Sequence, residues 1–163
     1  MNKETTNFII KNTQLDDIYF SVINDIMPET VLDIGMFLKR NGSVSRASGG
    51  LSIKNQIILD GVDVMPSINL GVYKTIYDHI TSKDDFITET YSGCFVKCYD
   101  LVIAFDFYRF IDENHVKKII SCLRNNSKTI LFDNASANRY TDCFNSSDSE
   151  KIIYKEAVLY HFL

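Results

Sequence analysis

Residues 30–35, TVLDIG, form a short apolar run that closes with an acidic residue and a glycine. Apolar residues on both sides of Asp33 predict a strand over residues 30–34 that is buried on both faces. Strands of this kind belong to parallel sheets that helices cover on both sides. The stretch therefore predicts the opening strand of an α/β sheet, which the chain leaves through Gly35.

Three further apolar runs have the same form. They cover residues 56–63, 100–105 and 129–132, and each ends at an acid or is followed by one, at Asp63, Asp106 and Asp133. Residues 86–90 are a weaker candidate for a strand. Residues 151–163 are rich in β-branched and aromatic side chains, which predicts one or two closing strands, with an antiparallel edge as one arrangement.

Apolar residues at helical spacing alternate with these strands. Thr13 is a candidate N-cap for a helix over residues 14–27, which Pro28 ends and which would cover one face of the sheet. A second helix is predicted over residues 71–82 from its apolar spacing. Residues 36–55 fit either a helix from Met36 or a loop followed by a short helix.

A third helix is predicted over residues 112–124, with Asp112 as its cap. Residues 134–150 are polar and rich in Asn, Ser and Asp, which predicts a surface loop. The buried stripe of the third helix is predicted to be Val116, Ile119, Ile120 and Leu123.

This alternation predicts one domain over residues 1–163, with a doubly wound, mostly parallel sheet and helices on both faces, as in Rossmann-like folds. Residues 30–133 supply the core of the sheet, and residues 151–163 close it. Ligands bind outside the carboxyl ends of the strands in such sheets. The acids at the strand ends are therefore candidate ligand-binding residues, namely Asp33, Asp63, Asp106 and Asp133.

Composition narrows the classes of function. The chain has 163 residues, 45% of them hydrophobic, and a formal net charge of −4, which disfavours general binding to nucleic acid. No apolar run approaches the length of about 20 residues that a membrane helix needs, and residues 1–7 lack the features of a signal peptide. We therefore expect a cytoplasmic protein with reduced thiols and no membrane partner. Four cysteines without a second close pair predict no metal site.

Two common phosphate-binding motifs are missing from the sequence. No Gly-x-Gly-x-x-Gly follows the first strand, so the close backbone approach of a dinucleotide fingerprint is not available. Residues 33–42 also lack the Gly-Lys-Ser/Thr ending of a P-loop. The sequence thus disfavours a nicotinamide-dependent dehydrogenase and a P-loop nucleotide hydrolase.

Three stretches together resemble class I S-adenosylmethionine-dependent methyltransferases. Residues 31–35, VLDIG, resemble the first strand and the opening of the cofactor loop, and residues 61–66, GVDVMP, resemble the end of the second strand. Residues 99–106, YDLVIAFD, with the helix and strand that follow, resemble the fourth strand and the unit after it. The resemblance spans about residues 30–133.

The resemblance implies a cofactor, S-adenosylmethionine, and a small-molecule acceptor. It places Asp33 and Gly35 beside the methionine part of the cofactor and Asp63 at its ribose. It also implies that Val64 and Met65 flank the adenine, and that Phe105 and Asp106 line the floor near the transferred methyl group. It assigns no catalytic base.

The cofactor loop departs from the family pattern. Met36 and Phe37 follow Gly35 where methyltransferases have a small residue and a further glycine, and the Phe37 ring could fill the space of the methionine moiety. Two hypotheses follow. One is a methyltransferase acting on a small molecule; the other is a non-catalytic binding or scaffold module with an occluded cofactor site. An apolar C-terminal strand could pair with a second copy of the chain in a homo-oligomer.

Aromatic residues follow the fourth predicted strand closely. Packing in the core and the rim is one interpretation, and stacking on a planar ligand is the other. The residues concerned are Phe105, Phe107, Tyr108 and Phe110.

Overall fold

The computed structural model describes residues 15–35, 57–63, 77–93, 97–144, 148–154 and 156–163. A short 3-10 turn, Thr141–Cys143, precedes the last two strands. In chain order the other elements are α1 (Leu15–Ile26), β1 (Thr30–Ile34), β2 (Ile58–Asp63), β3 (His79–Ser82), α2 (Lys83–Ser92), β4 (Tyr99–Ala104), α3 (Phe107–Phe110), α4 (Glu113–Asn125), β5 (Ser127–Asp133), α5 (Asn134–Arg139), β6 (Ser149–Ile153) and β7 (Ala157–Phe162).

The strands form one seven-stranded sheet in the order β3-β2-β1-β4-β5-β7-β6. Strands β1 to β5 are parallel, whereas β7 is antiparallel to both of its neighbours, β5 and β6. From β1 the chain builds outward to β3 and then returns to the other side of β1 to form β4. This doubly wound, mostly parallel sheet confirms the predicted fold class, including the antiparallel C-terminal strands.

Each face of the sheet carries its own hydrophobic core, because successive side chains of a strand point to opposite faces. On one face Ile18 and Val22 of α1 pack with Val31 of β1 and Leu101 of β4. On the other face the helices α2 and α4 pack with residues such as Leu32. Helices therefore cover both faces of the sheet.

Several predicted elements are confirmed. Helix α1 matches the helix predicted over residues 14–27, although its candidate cap, Thr13, lies outside the described residues. Strands β1, β2, β4 and β5 match the four strong strand predictions within a few residues. All four residues of the predicted stripe on α4 are buried, namely Val116, Ile119, Ile120 and Leu123.

Two predictions around β3 are wrong. Strand β3 begins at His79, inside the helix predicted over residues 71–82, of which residues 71–76 lie outside the described part. Residues 86–90, predicted as a strand, belong to helix α2. The Ser82 hydroxyl caps that helix by accepting from the Asp85 N–H at 3.1 Å, and Gly93 ends it with φ of 75°. The two caps stabilise the helix, and this outweighs the preference of the β-branched residues between them for a strand.

The loop predicted over residues 134–150 is wrong in part. Helix α5 begins directly after β5, because the Asp133 carboxylate accepts from the Ser136 N–H at 3.3 Å and caps the first turn. Strand β6 begins at Ser149. The predictions for residues 36–55 fall outside the described residues. In the part of the chain that the structure describes, no helix is long and apolar enough to span a membrane.

Candidate cofactor crevice

The strand order reverses between β1 and β4, so the connections after these two neighbours run to opposite sides of the sheet. Such a switch point opens a crevice at the carboxyl ends of the strands, where open α/β sheets bind their ligands. Asp33 of β1 lies in register with Ile103 of β4, so the residues that follow the two strands leave the sheet side by side. Nine residues are predicted for the cofactor and its loop, namely Asp33, Gly35, Met36, Phe37, Asp63, Val64, Met65, Phe105 and Asp106. Five of them lie in the described part of the chain, and these are Asp33, Gly35, Asp63, Phe105 and Asp106.

Gly35 makes the turn out of β1. Its φ is 74°, in the left-handed region that favours glycine over residues with a side chain. Its N–H donates to the Val62 carbonyl at 2.8 Å, which ties the turn to β2. Gly35 therefore ends β1 with a backbone conformation that explains the residue type, and its contact with the methionine part of the cofactor stays a prediction.

Asp33 is fully buried on the face that α1 covers. The Tyr77 hydroxyl donates to Asp33 Oδ2 at 2.6 Å, a short bond of the kind that charged acceptors form. Gly61, which lies in register with Asp33 on β2, has no side chain on that face. Asp33 thus binds the segment just before β3 to the centre of the sheet. This contact gives it a positioning role beside the crevice.

Asp63 is the last residue of β2 and only 3% exposed. It lies in register with Ser82, the last residue of β3 and the cap of α2. A carboxylate at this edge is a hydrogen-bond acceptor of the kind that hydroxyl groups of a ligand bind strongly. Its position agrees with the predicted ribose-binding role, which stays a prediction.

Asp133 stabilises the turn that follows β4. Asp106 adopts a left-handed conformation, φ 54° and ψ 29°, and its N–H donates to Asp133 Oδ1 at 2.9 Å. The other oxygen of Asp133 caps α5. Asp133, predicted as a candidate ligand-binding acid, therefore joins the ends of β4 and β5. The carboxyl group of Asp106 is half-buried next to the crevice.

The four aromatic residues that follow β4 differ in how far they are buried. Phe105, Phe107 and Phe110 are buried in the two cores, which confirms the packing interpretation for these three. Phe105 contributes to the core beneath α1, whereas Phe107 and Phe110 lie in the core on the other face. Tyr108 alone is partly exposed. The predicted contact of Phe105 with the transferred methyl group stays a prediction.

A polar network around the buried Asp60 was not predicted. Asp60 is 4% exposed and lies within 2.9 Å of three partners, the His79 Nδ1, the Lys97 Nζ and the Tyr99 hydroxyl. Burial, together with the Asp60 charge, raises the pKa of Tyr99 and keeps its phenol a donor. The network lies toward the amino-terminal ends of the strands, away from the crevice. Lys97 and Tyr99 come 37 and 39 residues after Asp60, so no local sequence motif could predict the network.

The other four residues predicted for the cofactor lie outside the part of the chain that the structure describes. Met36, Phe37, Val64 and Met65 lie outside the described residues, so the occlusion predicted from Phe37 is untested. Across the described ranges, no three His, Cys, Asp or Glu side chains are grouped closely enough to hold a metal ion.

Solved structures share this fold at low sequence identity. A Staphylococcus aureus protein provisionally assigned as a caffeoyl-CoA O-methyltransferase is 12% identical, with a TM-score of 0.65 over 98% of this chain and 88% of its own. The N-methyltransferase NodS from Bradyrhizobium japonicum WM9, in complex with S-adenosylhomocysteine, is 11% identical, with a TM-score of 0.57 over 93% of this chain and 88% of its own.

The MycE methyltransferase of the mycinamycin biosynthetic pathway, with Mg, S-adenosylhomocysteine and mycinamycin VI, is 11% identical, with a TM-score of 0.58 over 90% of this chain and 48% of its own. No protein-family model matches the chain. No curated protein sequence matches it either. The chain has the fold of class I S-adenosylmethionine-dependent methyltransferases.

Proposed function

We propose that the chain binds S-adenosylmethionine in the crevice between β1 and β4 and transfers its methyl group to a small-molecule acceptor. The observation that carries the proposal is the pairing of this switch point with Gly35 at the exit of β1 and Asp63 at the end of β2. The methyltransferase fold, seen with bound S-adenosylhomocysteine in NodS and MycE, supports it.

The donors and acceptors at the crevice fit this cofactor. The Asp63 carboxylate can accept hydrogen bonds from both ribose hydroxyls. Gly35 has no side chain that would keep the cofactor away from the backbone. In this proposal Asp33 acts by holding Tyr77 and the neighbouring segments in place. Val64 and Met65 flank the adenine, and residues 36–37 belong to the loop around the methionine part.

Orientation and exclusion of water are what the protein contributes. When bound, the cofactor supplies a methyl group on a positively charged sulfur, and the carbon–sulfur electron pair stays with sulfur as an acceptor lone pair forms the new bond. The buried Phe105 gives the end of β4 an apolar floor. Holding the acceptor in line can supply a large share of the rate gain without a strong base. The proton of the acceptor then passes to water.

Calorimetry tests the cofactor. We expect S-adenosylmethionine and S-adenosylhomocysteine to bind with Kd values of about a micromolar, near −8 kcal/mol. The absence of heat at high protein concentration would contradict the proposal. Methyl transfer itself is then followed by release of S-adenosylhomocysteine in the presence of candidate acceptors.

A neutral variant tests the ribose contact. Asp63→Asn keeps the shape of the side chain but loses the charge, so we expect affinity for S-adenosylhomocysteine to fall by about tenfold. Asp142→Asn removes the same charge from an exposed position after α5 and should bind as the wild type does. Equal affinity of the two variants would exclude Asp63 from the ribose site.

The alternative, a scaffold module with an occluded site, rests on Phe37 and on the apolar C-terminal strand, which could pair with another chain. No described residue gives it additional support. Replacing Phe37 with glycine separates the two hypotheses, because an occluding ring predicts a gain in cofactor affinity when it is removed. Strong binding by the wild type would reject occlusion directly.

A further inference from the structure

Helix α3 presents two side chains, Tyr108 and Arg109, beside the crevice. This helix begins directly after β4, and the Asp106 carbonyl accepts from the Arg109 N–H at 2.9 Å and from the Phe110 N–H at 3.2 Å. Phe107 and Phe110 are buried and therefore fix which side of the helix faces the core. Tyr108 and Arg109 are consequently presented on the outer side, at the carboxyl end of the sheet.

Two guanidinium groups flank the Tyr108 ring. The Arg109 Cζ lies 5.3 Å from the centroid of that ring, and the Arg139 Cζ, from the end of α5, lies 5.8 Å from it. Contacts of this kind hold an arginine over an aromatic ring while its N–H groups remain available to other acceptors. The ends of β4 and β5 thus bring together two cations that are 30 residues apart in the chain.

Few carboxylates compete with an anionic ligand for these two arginines. Arg139 forms a salt bridge with Glu113, whose side chain is 73% exposed and can be displaced at little cost. None of the carboxylates that the structure describes forms a salt bridge with Arg109. Both arginines lie in a chain whose formal net charge is −4.

We propose that this cluster, Tyr108, Arg109 and Arg139, binds a carboxylate or phosphate group of the methyl acceptor. The inference rests on the proposed function, because the acceptor must lie next to the crevice, and the cluster follows β4 and β5 at that edge of the sheet. Arginine binds both oxyanions through paired N–H donors, so the shared chemistry is a bidentate oxyanion. The long-range field of an acidic protein is screened within about 8 Å at physiological salt, which leaves these local cations to decide binding.

The test uses small oxyanions on the full chain. Benzoate and phenyl phosphate carry the two groups on the same ring, and benzyl alcohol is the neutral probe. Each is titrated by NMR with and without saturating S-adenosylhomocysteine, following the side-chain Nε–Hε signals of arginine. We expect Kd values of about a millimolar for at least one anion, as suits a ligand of this size, and no saturation with benzyl alcohol. Whichever anion binds more tightly identifies the class of acceptor.

Variants identify the residues. Arg109→Gln and Arg139→Gln should each weaken anion binding by about tenfold, because each removes a charged pair of donors, and should leave affinity for S-adenosylhomocysteine unchanged. Lys118→Gln, on the exposed side of α4, removes the same charge and should change neither affinity. Equal anion affinity in the Arg109, Arg139 and Lys118 variants, or no anion binding by the wild type, would overturn the inference.

The two proposals can fail separately. Binding of S-adenosylhomocysteine without any binding of the anions supports the proposed function and overturns this inference. Anion binding that depends on Arg109 without any binding of S-adenosylhomocysteine keeps the oxyanion site and overturns its role in methyl transfer.

Discussion

The contact between Asp33 and Tyr77 shows what a strand-end acid can do besides binding a ligand. The sequence places Asp33 in β1, which the structure confirms, whereas its predicted contact with the cofactor stays a prediction. Its partner comes 44 residues later, in a segment whose apolar spacing predicted a helix. A single sequence carries no signal for such a pair, since neither residue changes the local pattern of the other. The same holds for Asp60 and its three partners.

Tyr77→Phe should destabilise the protein by about 1.5–3 kcal/mol, because it removes a donor from a fully buried carboxylate. The free energy of unfolding in urea measures this change, with an unchanged m-value as the sign that the fold persists. Tyr91→Phe is the matched control. Its hydroxyl lies 2.8 Å from the His115 Nδ1 in an exposed pair, and its loss should change stability by less than about 0.5 kcal/mol. Equal effects of the two substitutions would show that Asp33 does not depend on Tyr77.

Strong strands and long amphipathic helices were predictable as elements, whereas the short helices were not. Helix α4 has four buried apolar residues in a stripe, and periodicity alone located it. Helix α2 buries only Phe86 and Thr90, and its threonines and isoleucine favour a strand locally. The missed signal was at its ends, where Ser82 precedes Asp85 by three residues and a glycine stands after the last turn. Helix α5 was missed for the same reason, although Asp133 and Ser136 have the spacing of a cap.

Gly93 allows a clean test of how α2 ends. Its φ is 75°, and a Cβ built there would meet no atom within 4 Å. Gly93→Ala should therefore cost only the backbone penalty, about 1 kcal/mol of unfolding free energy. Gly93→Asn should cost less, because asparagine tolerates the left-handed region. Thermal unfolding of the three proteins gives the order. A larger loss for asparagine than for alanine would mean that side-chain contacts, rather than the backbone, decide this position.

For the whole molecule, the sequence was enough to predict the strands of the sheet and the residues at their carboxyl ends. It predicted only some of the side chains that gather there. Strand ends located Asp33, Gly35, Asp63 and Asp106, because a short run that is apolar on both faces marks its own boundary. The cations over Tyr108 depend on how α3 and α5 pack after β4 and β5. Sequence spacing did not reveal that packing, since α5 was predicted as loop. The predicted pairing of a C-terminal strand with a second copy stays a prediction, with β6 at the end of the strand order.

Alkaline pH should destabilise the whole molecule through its buried tyrosines. Burial raises the pKa of Tyr99, beside Asp60, and of Tyr154, beside Asp25, above their ordinary value of 10.0. The folded state therefore keeps protons that the unfolded state loses. The stabilising contribution is complete below pH 10 and is lost as the pH rises. Each tyrosine should lower the free energy of unfolding by about 1.4 kcal/mol per pH unit above 10.

Urea unfolding at several pH values between 9 and about 11 measures this slope. The double variant Tyr99→Phe with Tyr154→Phe should reduce it by about 2.7 kcal/mol per pH unit, once its lower stability at neutral pH is subtracted. An unchanged slope in the double variant would assign the alkaline loss of stability to other groups.

The insertion of β7 between β5 and β6 sets an order of events during synthesis. Strand β6 leaves the ribosome before β7, yet among the described strands β7 is its only neighbour. Until Ala157–Phe162 has emerged, β5 presents an open, apolar edge, and β6 has no strand to pair with. Strand β6 can therefore join the sheet only after β7 has emerged to lie between it and β5. A nascent chain halted before Ala157 leaves the edge of β5 open to pairing with another unfinished copy.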